Sequence, residues 1–195
     1  MSIKIRKGEN INLTKTEPGL QKVLVGLGWD TRKTDGKAFD LDASCFLVTP
    51  AGKCRDDRDV VYYDPGHLSH PDGSVKHHGD NRDGQGDGDD EKISVDLTKV
   101  AAGIQKLVFV VSIYDAVDRK QTFGMVNNAY IRLVNEATGV EVCKADLSED
   151  FSVETSVCFA ELYRTDAGEW KFKNVGQGYK DGLEKFVVDF GLTVE

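Results

Sequence analysis

Short apolar runs broken by Gly, Asp, Asn and Pro fill most of this chain, and helical spacing of apolar residues is scarce. KVLVGLGW (22–29), AFDLDASCFLV (38–48), DVVYY (59–63), KISVDL (92–97) and KLVFVVSIYD (106–115) are rich in β-branched and aromatic residues, the composition of strands. NAYIRLV (128–134) and VEVCKADL (140–147) flank NEATG, and SVCFAELYR (156–164) and WKFKNVG (170–176) flank TDAGE. Both pairs predict hairpins. Residues 97–104 predict a short helix before Gly103, and GLEKFVVDF predicts one near the end. The pattern therefore predicts a mainly β fold: a two-sheet β-sandwich with one or two short peripheral helices, forming a single domain over residues 1–195. The segment 65–91 is too long and polar for an ordinary connection and reads as a functional loop.

The run at 39–48 alternates in a way that changes the picture. Phe39, Leu41, Ala43, Cys45 and Leu47 share one face, and Asp40, Asp42 and Ser44 share the other. Two carboxylates at i and i+2 on a strand lie within ~7 Å of each other. Taken alone, such a pair reads as a solvated face. Other acids weigh against that: Asp30 closes the preceding strand, and Asp56, Asp57 and Asp59 crowd the turn RDDRD beside Arg55 and Arg58.

The densest group is GDNRDGQGDGDDE at 79–91. From residue 80 onward it holds Asp80, Asp83, Asp87, Asp89, Asp90 and Glu91 against Arg82 alone. Two carboxylates about 4 Å apart at an effective dielectric near 20 repel by ~4 kcal/mol. The loop therefore stays splayed in water or is organised by a hard cation. A purely solvating acidic segment tends to be a block of like charge. Here Gly84, Gly86 and Gly88 alternate with acids, so the backbone can turn sharply and present carbonyl oxygens between carboxylates. Carboxylates, carbonyls and an amide such as Asn81 form the ligand set of Ca2+, whereas Mg2+ keeps more of its water and Zn2+ or copper prefers imidazole or thiolate. The segment is not an EF-hand. Its third, fifth and sixth positions are Arg82, Gly84 and Gln85, and a strand pattern follows it.

Composition narrows the function classes. The chain has 195 residues, 39% hydrophobic and 30% charged, with a formal net charge of -8. No basic cluster offers a footprint for nucleic acid, and no apolar run approaches the ~20 residues that span a bilayer. The start, MSIKIRKGENINL, lacks the apolar core and cleavage site of a secretory signal. Cys45, Cys54, Cys143 and Cys158 form no CxxC pair, so a reducing cytoplasmic location is expected, with Cys45 and Cys158 as small core residues. His67, His70, His77 and His78 precede the acidic run at spacings that could ligate a transition metal. The Pro, Gly, Ser and Asp around them read instead as an ordinary surface loop. The chain carries no GxSxG, P-loop, HExxH or dinucleotide fingerprint, and the expectation is that it is not an enzyme.

GDNRDGQGDGDDEKISVDL resembles the signature of the TerD-domain proteins, the tellurium-resistance and stress-response family. The likeness continues through LVGLGWD, FDLDASCFLV, DRDVVYYD, VFVVSIYDA, FGMVNNAYIRLVNEATG and ELYRTDAGEWKFKNVGQGY, nearly the whole chain. It implies a sandwich of two sheets with calcium at one end, in a cytoplasmic bacterial protein tied to tellurite and other stresses and without an established catalytic activity. The family's acidic positions fall on Asp30, Asp40, Asp42, Asp57, Asp59, Asp80, Asn81, Asp87, Asp89, Asp90, Glu91 and Asp115, with Gly88 between them as a carbonyl donor. YYDPGHLSHPDGS is longer and richer in histidine than the family's linker, and Asp64 stands where Asn is usual.

Residues and resemblance together predict one or two Ca2+ ions clamped between the acidic loop and the strand ends carrying Asp40 and Asp42. The protein would act as a sensor, or as a scaffold for other stress-response proteins in a multi-protein or membrane-associated complex. Two alternatives are direct metal or metal-oxyanion detoxification through the histidine loop or thiols, and a calcium-dependent hydrolase. Removing residues 84–91 is expected to leave the sandwich folded.

Overall fold

The computed structural model of the chain describes residues 2–30, 38–82, 88–146 and 151–194. Its strands are β1 (Ile3–Lys4), β2 (Asn10–Asn12), β3 (Lys22–Asp30), β4 (Leu41–Val48), β5 (Val60–Val61), β6 (Val75–His77), β7 (Glu91–Asp96), β8 (Lys106–Ile113), β9 (Asn127–Asn135), β10 (Val140–Asp146), β11 (Ser156–Arg164) and β12 (Trp170–Tyr179). Among the described residues there are three short α-helices: α1 (Leu13–Thr16), α2 (Ala116–Arg119) and, after the last strand, α3 (Gly182–Asp189). The strands form two six-stranded sheets, ordered β1-β10-β9-β3-β7-β6 and β2-β12-β11-β8-β4-β5. The two-sheet sandwich expected from the alternation is the architecture observed.

One apolar core lies between the sheets. Val23, Val25, Leu27 and Trp29 enter it from β3, Ile93 and Val95 from β7, and Leu41, Ala43, Cys45 and Leu47 from β4. A second, smaller cluster covers the other face of β4, where Phe46, Val48, Val108 and Val110 pack against Phe186 of α3. That helix covers the outward Phe46 and Val48, and β4 is buried along its whole length. Both predicted hairpins form, with β9 antiparallel to β10 and β11 antiparallel to β12. Cys45 and Cys158 are buried, as expected of small core residues.

The differences have local causes. Residues 97–104 make turns in place of a helix: Lys99 N–H donates to Asp96 O and Ile104 N–H to Ala101 O, three residues back in each case. Leu97, Val100 and Ile104 still reach the core. The long loop is interrupted by β6, whose three residues pair with β7 through Val75↔Val95 and His77↔Ile93. Three residues are too few to show a period, as are β1, β2 and β5. The strand predicted over 140–147 is observed to Asp146, its last position lying outside the described residues.

The sequence LVGLGW acquires a reason. Gly26 and Gly28 lie on the face of β3 turned away from the core, and that face is occupied. A Cβ on Gly26 would stand 2.3 Å from the Asp89 carboxylate, and one on Gly28 would stand 2.5 Å from the Tyr130 ring. The end of the acidic loop is thus laid onto the outer surface of the first sheet through a gap only glycine leaves. Gly26→Ala is expected to cost about 1–3 kcal/mol by overpacking. Gly103→Ala, where an added Cβ meets nothing within 4 Å, should leave stability nearly unchanged. Urea unfolding of the two variants beside the wild type checks the contrast.

Candidate metal centre

The acidic side chains gather where β4 and β7, from opposite sheets, approach one another. In the second sheet β5 pairs only with Cys45 and Phe46, so among the described residues the first half of β4 has no strand on that side. An exposed edge N–H needs an acceptor. Glu91 supplies it: the alternation that sends Ile93 and Val95 into the core sends Glu91 there too, and its Oε2 accepts from Ala43 N–H at 2.5 Å. One carboxylate therefore ties the two sheets together. His77 stands behind it, fully enclosed, with Nε2 3.6 Å from Glu91 Oε2. That separation is beyond hydrogen-bond reach and is an electrostatic contact. His77 Nδ1 accepts from Gly79 N–H at 3.1 Å, which leaves the ring proton on Nε2, facing Glu91.

Beside this link, one carboxylate oxygen from each of Asp40, Asp42 and Asp80 lies within 4.8 Å of the others. Asp40 and Asp42 are 6% and 3% exposed, so the pair does not form the solvated face that the i, i+2 spacing suggests in isolation. Positive charge nearby is thin. Arg119 Nη1 is 3.6 Å from Asp40 Oδ2, and Arg82 Nε is 2.8 Å from Asp80 Oδ2 at the rim. Asp40 Oδ1 and Glu91 Oε1 are buried with no hydrogen-bond partner. The electrostatic consequence is large. Burial, then Glu91, Asp40 and Asp80, push Asp42 up to about 9. Burial and Asp80 raise Asp40 against the pull of Arg119. Burial also raises Glu91, opposed by His77 and the Ala43 N–H.

The other expected site residues are placed elsewhere or otherwise engaged. Asp89 has its side chain 1% exposed and forms a two-pronged ion pair with Arg132, Nε to Oδ1 at 2.7 Å and Nη2 to Oδ2 at 3.0 Å. Tyr130 Oη donates toward Gly88 O at 2.9 Å. Asp90 Oδ2 accepts from Trp29 N–H at 2.9 Å, and its Oδ1 accepts from Asn81 Nδ2 at 3.1 Å. Asp30 is exposed at the end of β3 and accepts from Asn128 Nδ2 at 2.5 Å. Asp59 is buried under Arg55, which donates to it from Nε at 2.9 Å and from Nη2 at 2.6 Å, with His70 Nε2 3.2 Å away. Burial works to raise Asp59, but Arg55 and His70 hold it below the usual carboxylate range. Asp57 is exposed on the turn Asp57–Asp59. Asp115 is exposed in the left-handed region ahead of α2. Asp87 lies outside the described residues.

Two expectations change here. Asp89 and Asp90 before β7 and Glu91 at its start engage Arg132, the Trp29 N–H and the Ala43 N–H, so removing residues 84–91 is now expected to cost stability. The histidine loop, too, is not an ordinary surface segment. His70 and His77 are buried, and His70 lies between Asp59 and Asp72, its Nδ1 2.5 Å from Asp72 Oδ1. Sequence reasoning missed Arg132 and Arg119 altogether, gave Tyr130 no part in the site, and weighed His77 only as a transition-metal ligand or surface residue. Only the paired glycines of LVGLGW offered a signal, for the seat of Asp89 and Tyr130.

Comparison with known proteins agrees with this fold. The TerD domain family profile matches residues 1–190. The chain belongs to the TerD-domain family. General stress protein 16U of Bacillus subtilis (strain 168) is 51% identical over 195 residues, covering 100% of each chain. Tellurium resistance protein TerD of Serratia marcescens is 51% identical over 193 residues, 99% of each. Among solved structures, a homologue of telluride resistance protein (TerD) from Streptomyces coelicolor A3(2) superposes with a TM-score of 0.72 at 25% identity, covering 86% of this chain and 95% of that one. No helix among the described residues of this TerD-family chain is long and apolar enough to cross a membrane.

The raised Asp42 carboxyl sets a pH dependence. Its folded value of about 9 exceeds the unfolded value near 4, so the folded state binds the extra proton. That contribution is complete below about pH 4 and is lost as pH rises toward 9. Melting of the metal-free protein, followed by circular dichroism, should move to lower temperature across that window. Asp42→Asn should flatten the slope and raise the melting temperature at the alkaline end.

Proposed function

We propose that this TerD-domain protein is a calcium-binding stress-response protein, with one Ca2+ held by Asp40, Asp42 and Asp80 in front of Glu91. One observation supports this above the rest. Three carboxylates converge within 4.8 Å while Asp40 Oδ1 and Glu91 Oε1 are buried without partners. Burying an anionic oxygen unpaired is costly. Either protons or a cation must compensate the group, and an all-oxygen donor set suits Ca2+. The ion's contribution would be electrostatic: it supplies positive charge that lets the three acids ionise together.

Asp42 comes from β4 and Asp40 from the position just before it, and Asp80 from the segment just after β6. A cation there would join the two sheets on the side where Glu91 already joins them, which suits a protein that changes rigidity with calcium level. We read the output as a sensor or scaffold in the cytoplasm, and assign the site no catalytic role. The thiols speak against direct capture of tellurite. Burial holds Cys45 well above the usual thiol range and pushes Cys54, Cys143 and Cys158 up to about 12. A thiol kept protonated is a poor ligand and nucleophile.

Calcium should stabilise the fold by mass action, about 2.7 kcal/mol at a free concentration 100 times the dissociation constant. Calorimetric titration of EDTA-treated protein is expected to show saturable heat, and in weak buffer near pH 7 about one proton released per ion, because Asp42 must ionise. Asp40→Asn with Asp42→Asn should abolish both signals while the protein still melts cooperatively. Absence of heat and of any melting shift in the wild type would refute the reading. In cells lacking the gene, the wild type should restore growth on tellurite and the double variant should not.

A further inference from the structure

We propose a second site, for a small organic cation with an apolar body, in the cavity between the turn Asp57–Asp59 and helix α3. The cavity has a volume of about 560 Å³, within the range of small-molecule sites. None of the carboxylates of the candidate calcium centre lines it, so this inference does not depend on the calcium reading.

Its floor is apolar, made by Val60, Leu183, Val187 and Leu192. Those walls are held in place from behind. Phe190 packs on Phe46 with ring centroids 5.0 Å apart, Cys54 N–H donates to Phe190 O at 3.0 Å, and Leu192 N–H donates to Val187 O at 2.9 Å. Tyr62 adds an aromatic wall, with the His67 ring 5.1 Å from its own. A preformed apolar floor gives a ligand's body a place to bury without ordering the protein first.

Charge complementarity selects the head group. Arg55 is the one guanidinium or ammonium residue lining the cavity among the described residues, and Asp59 occupies it through two bonds. Asp56 is neutralised by Arg58 in the same two-pronged way, at 3.0 and 2.6 Å. His67 turns Nδ1 to Asp64 at 3.4 Å. What remains is Asp57 and Glu184, both exposed on the lining and, among the described residues, neither in an ion pair or side-chain hydrogen bond. The uncompensated charge is negative. An anion finds no uncompensated positive charge there, since Arg55 already neutralises Asp59, and a bare metal ion gains nothing from the valine and leucine floor. An arylalkyl or alkyl amine satisfies both features, with its ammonium between Asp57 and Glu184 and its body on the floor.

Methyl-resolved NMR titration with phenethylamine, 2-phenylethanol and phenylacetate tests this, since the three share a shape and differ in charge. Phenethylamine should give saturable shifts at Val60, Leu183, Val187 and Leu192, with phenylacetate about tenfold weaker or absent. Asp57→Asn with Glu184→Gln should weaken the amine about five- to tenfold, as expected for two exposed charge contacts. Both substitutions are at exposed positions, so the variant's spectrum should stay native, and 2-phenylethanol should bind it as it binds the wild type. No saturable shift at the floor methyls, equal binding of amine and carboxylate, or amine shifts centred on Asp40 and Asp42 would each overturn the proposal.

Discussion

Carboxylates that are taken out of water beside one another must be compensated, and the architecture around the end of β4 follows from how that is done. One oxygen of Glu91 is compensated from within, by the edge N–H of Ala43 beside the enclosed His77, while its Oε1 is left without a partner. Asp59 is compensated by Arg55 and Asp89 by Arg132, each through a two-pronged ion pair. Asp40, Asp42 and Asp80 are less well served: Arg119 and Arg82 pair only with the outer two, and burial beside Glu91, Asp40 and Asp80 pushes Asp42 up to about 9. Breaking a buried pair leaves an uncompensated charge at a cost of several kcal/mol. The same physics makes the uncompensated cluster the place where a cation has most to gain.

Two modes of anchoring hold the acidic segment. Asp89 and Asp90 fasten its end to the first sheet, one over Gly26 on the outer face and the other on the Trp29 N–H. Glu91 then turns inward and crosses to the second sheet. Asp80, from the other end of the segment, reaches Asp40 and Asp42. The loop is therefore framed at both ends by sandwich contacts, which permits a charged segment to approach other charges without being expelled into solvent.

Strand positions were legible where runs were long, because a period of two over eight or nine residues has few competitors. β3, β8, β9, β11 and β12 begin within a residue of where alternation places them. The short β1, β2 and β6 were not, since two or three residues exist as strands only through their partners, and of the run expected at 59–63 only Val60–Val61 pair, as β5. Asp40 and Asp42 were legible as candidate ligands, and Asp80 with them. Asp59, Asp89 and Asp90 carry the same sequence signal and serve different partners here. An acid looks the same in sequence whether it meets an arginine about forty residues away, as Asp89 does, or sits among other carboxylates, as Asp42 does.

The sequence by itself determined the alternation that builds the two sheets, the surplus of acids over bases between residues 80 and 91, and the family likeness. Those are local or compositional properties, readable without knowing what lies across a sheet. Tertiary structure alone decided which acids meet, which are paired and which are left short of a counter-charge. Coulomb energy depends on distance and on solvent exposure, and neither exists until β4, β7 and the segment after β6 are brought together.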